Sequence, residues 1–256
     1  MGRLEMANTK LLQVDKIMRK MSSWGFSLQE KQAHQIKTYH EILLKENQKY
    51  NLTRITEPGP VLEEHFFDSW AGLLKNMQKT ERQLLDLGSG AGFPGVPLKI
   101  YLPCLKLFLL DSSAKKISFL KLLVKKLQLE GVSFLQLRAE DLGRGRGREK
   151  YPWVTARAVA PLVILLELAL PLVKEGGYFW AFKGPSWRQE LAEAGEILKF
   201  CGGRMEEVVS YKLPQSCKER NILIFKKIAK TEKRFPRRPG IPQKRPLTKK
   251  IISPRK

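Results

Sequence analysis

Short apolar runs punctuated by glycine, acid or proline recur through the middle of the chain, and the stretches between them carry apolar residues at helical spacing. Leu84 to Leu87 is such a run, and Leu105–Leu110, Val132–Leu137, Trp153–Arg157 and Tyr178–Lys183 follow at the spacing of βα units. Met205–Lys212 and Asn221–Lys227 are read as a last, partly antiparallel pair. Between strands two and three, Ile117, Leu120, Leu123, Val124 and Leu127 fall on one helical face, and Lys115, Lys116, Lys121, Lys125 and Lys126 hold the other. Pro161 to Val173 reads as a helix after strand four, with its proline in the first turn and Gly176-Gly177 as its stop. Upstream, Leu28–Lys49 places Ile36, Tyr39, Leu43 and Leu44 on a helical period, and Val61–Leu74 forms a second helical piece carrying His65 and Asp68. Seven strands alternating with helices predict an α/β, doubly wound sheet behind a helical N-terminal extension.

The turn after strand one is the chain's densest glycine cluster, Gly88-Ser89-Gly90-Ala91-Gly92, directly after Asp86-Leu87. Glycine lets backbone approach a bound nucleoside because it has no Cβ and reaches positive φ without strain. A phosphate-binding P-loop needs Gly-Lys-Ser/Thr at its end, whereas Phe93-Pro94-Gly95 stands here. A dinucleotide fingerprint wants glycine three residues after Gly90, and that residue is Phe93. Strand two ends on Asp111, whose two carboxylate oxygens can accept both hydroxyls of a ribose, and strand three leads into Arg138-Ala139-Glu140-Asp141. Acids therefore stand at the ends of three successive strands, on the edge where open α/β sheets bind ligands.

Charge narrows the choice of partner. The 256 residues carry 47 Lys and Arg against 25 Asp and Glu, a net +22 that suits a polyanion. From 226 to 256 thirteen Lys and Arg face the single acid Glu232, so more than half the excess sits in the tail. Pro236, Pro239, Pro242, Pro246 and Pro254 prevent much of that tail from continuing a helix or central strand, which predicts a basic arm that meets phosphates and orders on RNA. Gly143 to Gly147, interleaved with Arg144, Arg146 and Arg148, predicts a flexible basic loop. The expected division is a helical extension over 1–75, a sheet domain over 76–227 and the tail over 228–256.

Localisation and metal chemistry follow from smaller signs. The longest apolar candidate, Val159 to Val173, is interrupted by Pro161, Glu167 and Pro171 and is too short to span a bilayer. Lys10, Asp15, Lys16, Arg19 and Lys20 occupy the place of a signal-peptide core, so a cytoplasmic protein that does not meet a membrane is expected. Cys104, Cys201 and Cys217 are scattered and odd in number, which predicts reduced structural thiols and no metal site.

The alternating glycines after Asp86 resemble the first motif of class I (Rossmann-like) methyltransferases, where the acid and glycines surround S-adenosylmethionine. The run Asp86 to Leu98, with Leu109-Leu110-Asp111-Ser112, Arg138-Ala139-Glu140 and Thr155-Ala156-Arg157-Ala158-Val159-Ala160-Pro161-Leu162, looks like the RsmG (GidB) family. Tyr50-Asn51-Leu52-Thr53-Arg54-Ile55, His65, Asp68-Ser69 and Lys183-Gly184 extend the resemblance, which covers the chain to about Phe225. It implies a methyltransferase that modifies guanine N7 in 16S, small-subunit ribosomal RNA, using S-adenosylmethionine; a monomer is the expected state. On the residues, it implies that Asp86, Gly88, Ser89 and Gly90 line the cofactor's amino-acid end with Phe93 close by, that Asp111 holds the ribose, and that Ala139 and Glu140 border the adenine. Arg157 matches the family's cofactor-site arginine, facing both cofactor and base, and Lys183 is assigned to the RNA side. With His65 these are the substrate-side candidates, and no catalytic residue is assigned. His65, a lone histidine among Phe66, Phe67 and Trp70, is read as orienting or packing. The family's usual acid before strand four is absent, with Tyr151-Pro152-Trp153 in its place.

The acceptor chemistry agrees with that implication. An Asn/Asp-Pro-Pro-aromatic turn for amino-group methylation is missing after strand four, and Cys104 and Cys201 lie away from the place of a cytosine-C5 nucleophile. Ribose methylation wants a lysine with nearby acids; Lys183 qualifies as the lysine, but Arg157 stands where an acid is wanted. Guanine N7 has a free lone pair and needs only alignment. The alternatives are a small-molecule methyltransferase, which has no use for the basic tail, and a non-catalytic RNA-binding protein, which does not account for the three strand-end acids.

Overall fold

The computed structural model describes residues 11–75 and 83–247; the boundary expected at 75/76, the first ten residues with Lys10, and the tail from 248 with Pro254 lie outside them. Its centre is a seven-stranded sheet in the order β3-β2-β1-β4-β5-β7-β6, built from β1 (Gln83–Leu87), β2 (Lys106–Leu110), β3 (Val132–Leu135), β4 (Tyr151–Arg157), β5 (Val173–Lys183), β6 (Gly203–Lys212) and β7 (Glu219–Lys227). The first five strands pair in parallel, and β7 runs antiparallel to β5 and β6, as the sequence pattern predicts. The topological switch falls between β1 and β4, so the carboxyl ends of those two strands open a crevice.

Strand alternation divides the core in two. Leu84, Leu107, Leu109, Trp153, Trp180, Ile222 and Ile224 point to one face, and Leu85, Leu87, Val154, Ala156, Phe179, Leu223 and Phe225 point to the other. The first face is covered by the N-terminal helices Val14–Ser23 and Glu30–Tyr50 together with the helices Gly95–Tyr101 and Ala114–Lys126. A reciprocal cap between Gln29 and Gln32 starts the Glu30–Tyr50 helix, and Asn51 at φ 48° ends it in the left-handed region. Side chains fix its seat: the Gln32 amide donates to the Ile100 carbonyl at 2.8 Å, and Gln35 donates to Leu127 O at 2.8 Å. The second face is covered by Leu162–Ala169, an almost wholly apolar helix, with Trp187–Glu193 and Gly195–Phe200 beside it.

Three local expectations are corrected. Gly176-Gly177 do not stop the helix: the chain turns through Leu170–Leu172 and the glycines sit inside β5, where the Pro152 carbonyl comes within 2.6 Å of a Cβ on Gly177. Strands β4 and β5 approach closely there, and a strand tolerates glycine where another backbone approaches. The basic loop over 143–147 is not free, since Arg148 donates to the Thr231 and Phe235 carbonyls at 2.7 Å each. The tail as far as Leu247 is likewise seated on the sheet domain and not extended: Phe235 is buried and stacks on Phe200, and Arg237 pairs with Glu167 at 2.7 Å. Long-range partners hold this segment in place, and local pattern does not reveal them.

Candidate active site

The glycine turn is built by backbone bonds across the sheet edge. Gly88 and Ser89 both donate to the Leu110 carbonyl, at 2.8 and 3.0 Å, which ties the turn to the end of β2. Gly88 has φ +69°, and a Cβ there would stand 2.6 Å from Val159 Cγ2, so the turn needs glycine both for conformation and for space. Asp86 sits beneath the turn, buried, with Oδ2 accepting the Gly95 amide at 3.3 Å and Oδ1 unpaired. It borders neither of the cavities described next; it supports the turn from below. Burial pushes its carboxyl up to about 7.

Two cavities meet over this edge, sharing Gly88, Lys116 and Ala158 in their walls. The smaller, about 270 Å³, is lined by Asp111, Ala139 and Glu140, the residues expected to face ribose and adenine. Asp111 accepts the Gly90 amide at 3.0 Å through Oδ2 and the Ser113 amide at 2.9 Å through Oδ1, and Lys116 Nζ stands 3.6 Å away. Each oxygen keeps a further lone pair for a ribose hydroxyl. Glu140 is turned toward the C-terminal segment, where Oε1 accepts the Gly240 amide at 2.9 Å.

The larger cavity, about 560 Å³, collects Gly88, Ser89, Gly90 and Phe93 with His65, Arg157 and Lys183. Here the motifs separated in sequence converge. Arg157, at the end of β4, donates to Asp68 Oδ2 at 2.8 Å and to the Glu64 carbonyl at 3.0 Å, and its other amino group lies 3.3 Å from His65 Nδ1. Its guanidinium also lies over the Phe93 ring, 5.1 Å from the centroid. His65 stacks on Phe93 with centroids 4.1 Å apart, and its Nε2 bonds Thr53 Oγ1 at 3.0 Å. A guanidinium can only donate, so Nδ1 is the acceptor and Nε2 carries the hydrogen toward Thr53. Burial and the neighbouring Arg157 lower the His65 pKa from 6.5 to about 3, which makes it a neutral prop for the arginine.

Lys183 donates to Glu190 Oε2 at 2.7 Å and to the Ala160 carbonyl at 2.9 Å, and the same carboxylate oxygen accepts the Leu162 amide at 2.7 Å. Sequence reasoning missed Glu190, and it missed Tyr211 and Arg220 on the far strands. Tyr211 donates to Asp68 Oδ1 at 2.8 Å, and Arg220 pairs with Glu64 at 3.0 Å. An alternating strand at the sheet's outer end offers no local sign that its polar side chains return to the crevice. Among the described residues no helix is long and apolar enough to cross a membrane, and no group of three or more His, Cys, Asp or Glu could hold a metal. All three cysteines are free, with Cys201 buried and Cys104 and Cys217 exposed.

Comparison with known proteins decides the family. A sequence model described as GidB, rRNA small subunit methyltransferase G, matches residues 32–223. The chain belongs to this family. A Staphylococcus saprophyticus protein named ribosomal RNA small subunit methyltransferase G is 44% identical over 234 residues, covering 91% of this chain and 98% of that protein. A Lactobacillus johnsonii protein of the same name is 44% identical over 232 residues, covering 90% and 97%. In structure, a chain of the complex between the Haloferax volcanii Trm112 methyltransferase activator and a methyltransferase matches with a TM-score of 0.50 at 16% identity, covering 65% of this chain and 91% of that one, a likeness of fold. The architecture of this GidB-family chain is thus the α/β class I methyltransferase fold.

The two displaced titrations give opposite stability slopes. Between about pH 6.5 and 3 the unfolded chain protonates His65 and the folded chain does not, so stability falls with acid. Between about pH 4 and 7 the folded chain keeps the Asp86 proton and the unfolded chain releases it, so stability falls as pH rises. Each slope is about 1.4 kcal/mol per pH unit. Urea unfolding from about pH 4.5 to 6.5 is expected to find His65→Gln losing stability as pH rises and Asp86→Asn gaining it, relative to wild type. Parallel profiles for both variants would contradict the assignment.

Proposed function

We propose that this protein is an S-adenosylmethionine-dependent methyltransferase that modifies N7 of a guanine in 16S ribosomal RNA, alone or within the small subunit, and that it acts in the cytoplasm as a monomer. Family membership, with relatives named for small-subunit ribosomal RNA, supports the substrate. The residues fit the cofactor: a glycine turn that a side chain would close, and beside it a carboxylate with lone pairs toward a second cavity. Gly88, Ser89, Gly90 and Phe93 would hold its amino-acid end, Asp111 its ribose, and Ala139 and Glu140 would border its adenine. Bound there, the cofactor supplies an electrophilic methyl group on a sulfonium.

The observation that carries the choice of N7 is that His65 and Lys183, the candidate bases that the sequence places in the larger cavity, are already engaged. His65 accepts from Arg157, and its low pKa makes it a poor proton acceptor. Lys183 is held by Glu190. Asp86 lies outside that cavity, buried beneath the glycine turn. Hydroxyl or amino acceptors must lose a proton as they are methylated, but guanine N7 attacks with a lone pair it already has, so no residue need take a proton. Arg157 and Phe93 give a rigid wall against which the base can be set in line with the methyl, and alignment is then the main source of rate. Lys116, Lys183 and Arg220 around the mouth suit the phosphates that accompany the base.

The test is Lys183→Met assayed with labelled cofactor and 16S RNA across about pH 6 to 9, the range in which a base would titrate. Transfer within roughly ten-fold of wild type, and flat above neutrality, is expected; a loss of about 10³ or more would mark Lys183 as a base and a proton-bearing acceptor.

A further inference from the structure

The C-terminal segment was expected to serve RNA, yet its bonds lead from the residues before β4 along the Leu162–Ala169 helix to the smaller cavity. Arg148 reaches it with a fork of donors to Thr231 O and Phe235 O, and Arg144 adds the Pro236 carbonyl at 3.3 Å. Thr231 N donates to Glu149 at 2.7 Å. Next comes a dedicated pair: Glu167, a single carboxylate inside the apolar Leu162–Ala169 helix and 1% exposed, accepts Arg237 N, Nε and an amino nitrogen at 2.9, 2.8 and 2.7 Å. Gly240, at φ +79°, then places its amide on Glu140. The following short turn, Ile241–Lys244, sets Gln243 in the wall of the smaller cavity, which Asp111 and Ala139 also line.

The geometry points to the 231–245 segment as a built part of the cofactor site, with Gln243 a binding residue for its adenine. Resting on the cofactor reading above, this adds a wall that the glycine turn and strand-end acids do not supply. The chemistry fits an aminopurine: a primary amide offers an acceptor and two donors, which match the exocyclic amine and ring nitrogen on one adenine edge. A segment needed only to cover the Leu162–Ala169 helix would need neither the turn at Gly240 nor a link to Glu140. The held carbonyls and the Arg237–Glu167 pair fix the strap's position, so Gln243 is presented without being part of the hydrophobic core.

Calorimetric titration of the full chain with S-adenosylmethionine tests this, with the exposed Gln243→Ala as the informative variant. About ten-fold weaker cofactor binding is expected, with unfolding temperature and 16S RNA affinity unchanged. Linkage adds a second readout: if the segment touches the cofactor, the cofactor must slow hydrogen exchange of the 240–245 amides, by several-fold. Binding by the variant within two-fold of wild type (about 0.4 kcal/mol) would overturn the inference, as would exchange that the cofactor leaves unchanged. Failure of the wild-type chain to bind at all would be a different result, removing the cofactor reading on which the inference stands.

Discussion

Asp68→Ala is expected to destabilise the protein by about 3–5 kcal/mol, the largest effect of any single substitution in the site. The carboxylate is 5% exposed and the Arg157 guanidinium 14%, so removing one charge strands the other away from water. Tyr211 loses its acceptor in the same step. What remains around Arg157 is the Glu64 carbonyl and the neutral His65, which solvate a guanidinium but do not balance it. Asp68→Ala with Arg157→Met should recover part of the loss, because a well-packed apolar pair costs less than an uncompensated buried charge. Denaturant unfolding of the single and double variants decides it. A cost below about 1 kcal/mol for Asp68→Ala would place this pair among ordinary surface bridges and remove the argument that it braces the arginine.

The second large effect concerns the ligand. Asp111→Ala should weaken S-adenosylmethionine binding by a factor of roughly 10², about 3 kcal/mol, from two hydrogen bonds to a charged acceptor. The same carboxylate also holds the Gly90 and Ser113 amides, so part of the loss reaches the turn itself. Asp111→Asn separates the two contributions: it keeps one acceptor oxygen for the turn and should fall between wild type and alanine. Equal affinity for wild type and Asp111→Ala would mean that this carboxylate does not face the ribose.

Much of this site was open to a reader of the sequence, and the part that was hidden has a common physical cause. Strand ends and the glycine turn are local: apolar runs stop at Asp86, Asp111 and Arg157, and each of those residues then lies at the crevice edge or directly beneath it because a parallel sheet aligns its carboxyl ends. Thr53, His65 and Asp68 were visible as a signature, but their convergence on Arg157 depends on how the N-terminal helices lie over the sheet. The 231–245 segment was misread for the same reason. Its prolines exclude regular structure, yet its order comes from Glu167 and Arg148, some seventy and more residues away in sequence. One hint was available: Glu167 is the single charge in an otherwise apolar helix, and a buried carboxylate needs a partner. Tyr211, Arg220 and Glu190 left no such mark, since polar residues on an outer strand and a surface helix are usually solvated.

The most direct test of the central claim is transfer of a labelled methyl group from S-adenosylmethionine to 16S RNA, or to small subunits, from cells lacking this protein, with the product mapped by strand cleavage specific for N7-methylguanine. Labelling at one guanine, lost in Asp111→Ala, is the predicted result. No transfer to either RNA or subunits, from a chain that still binds the cofactor, would contradict the account.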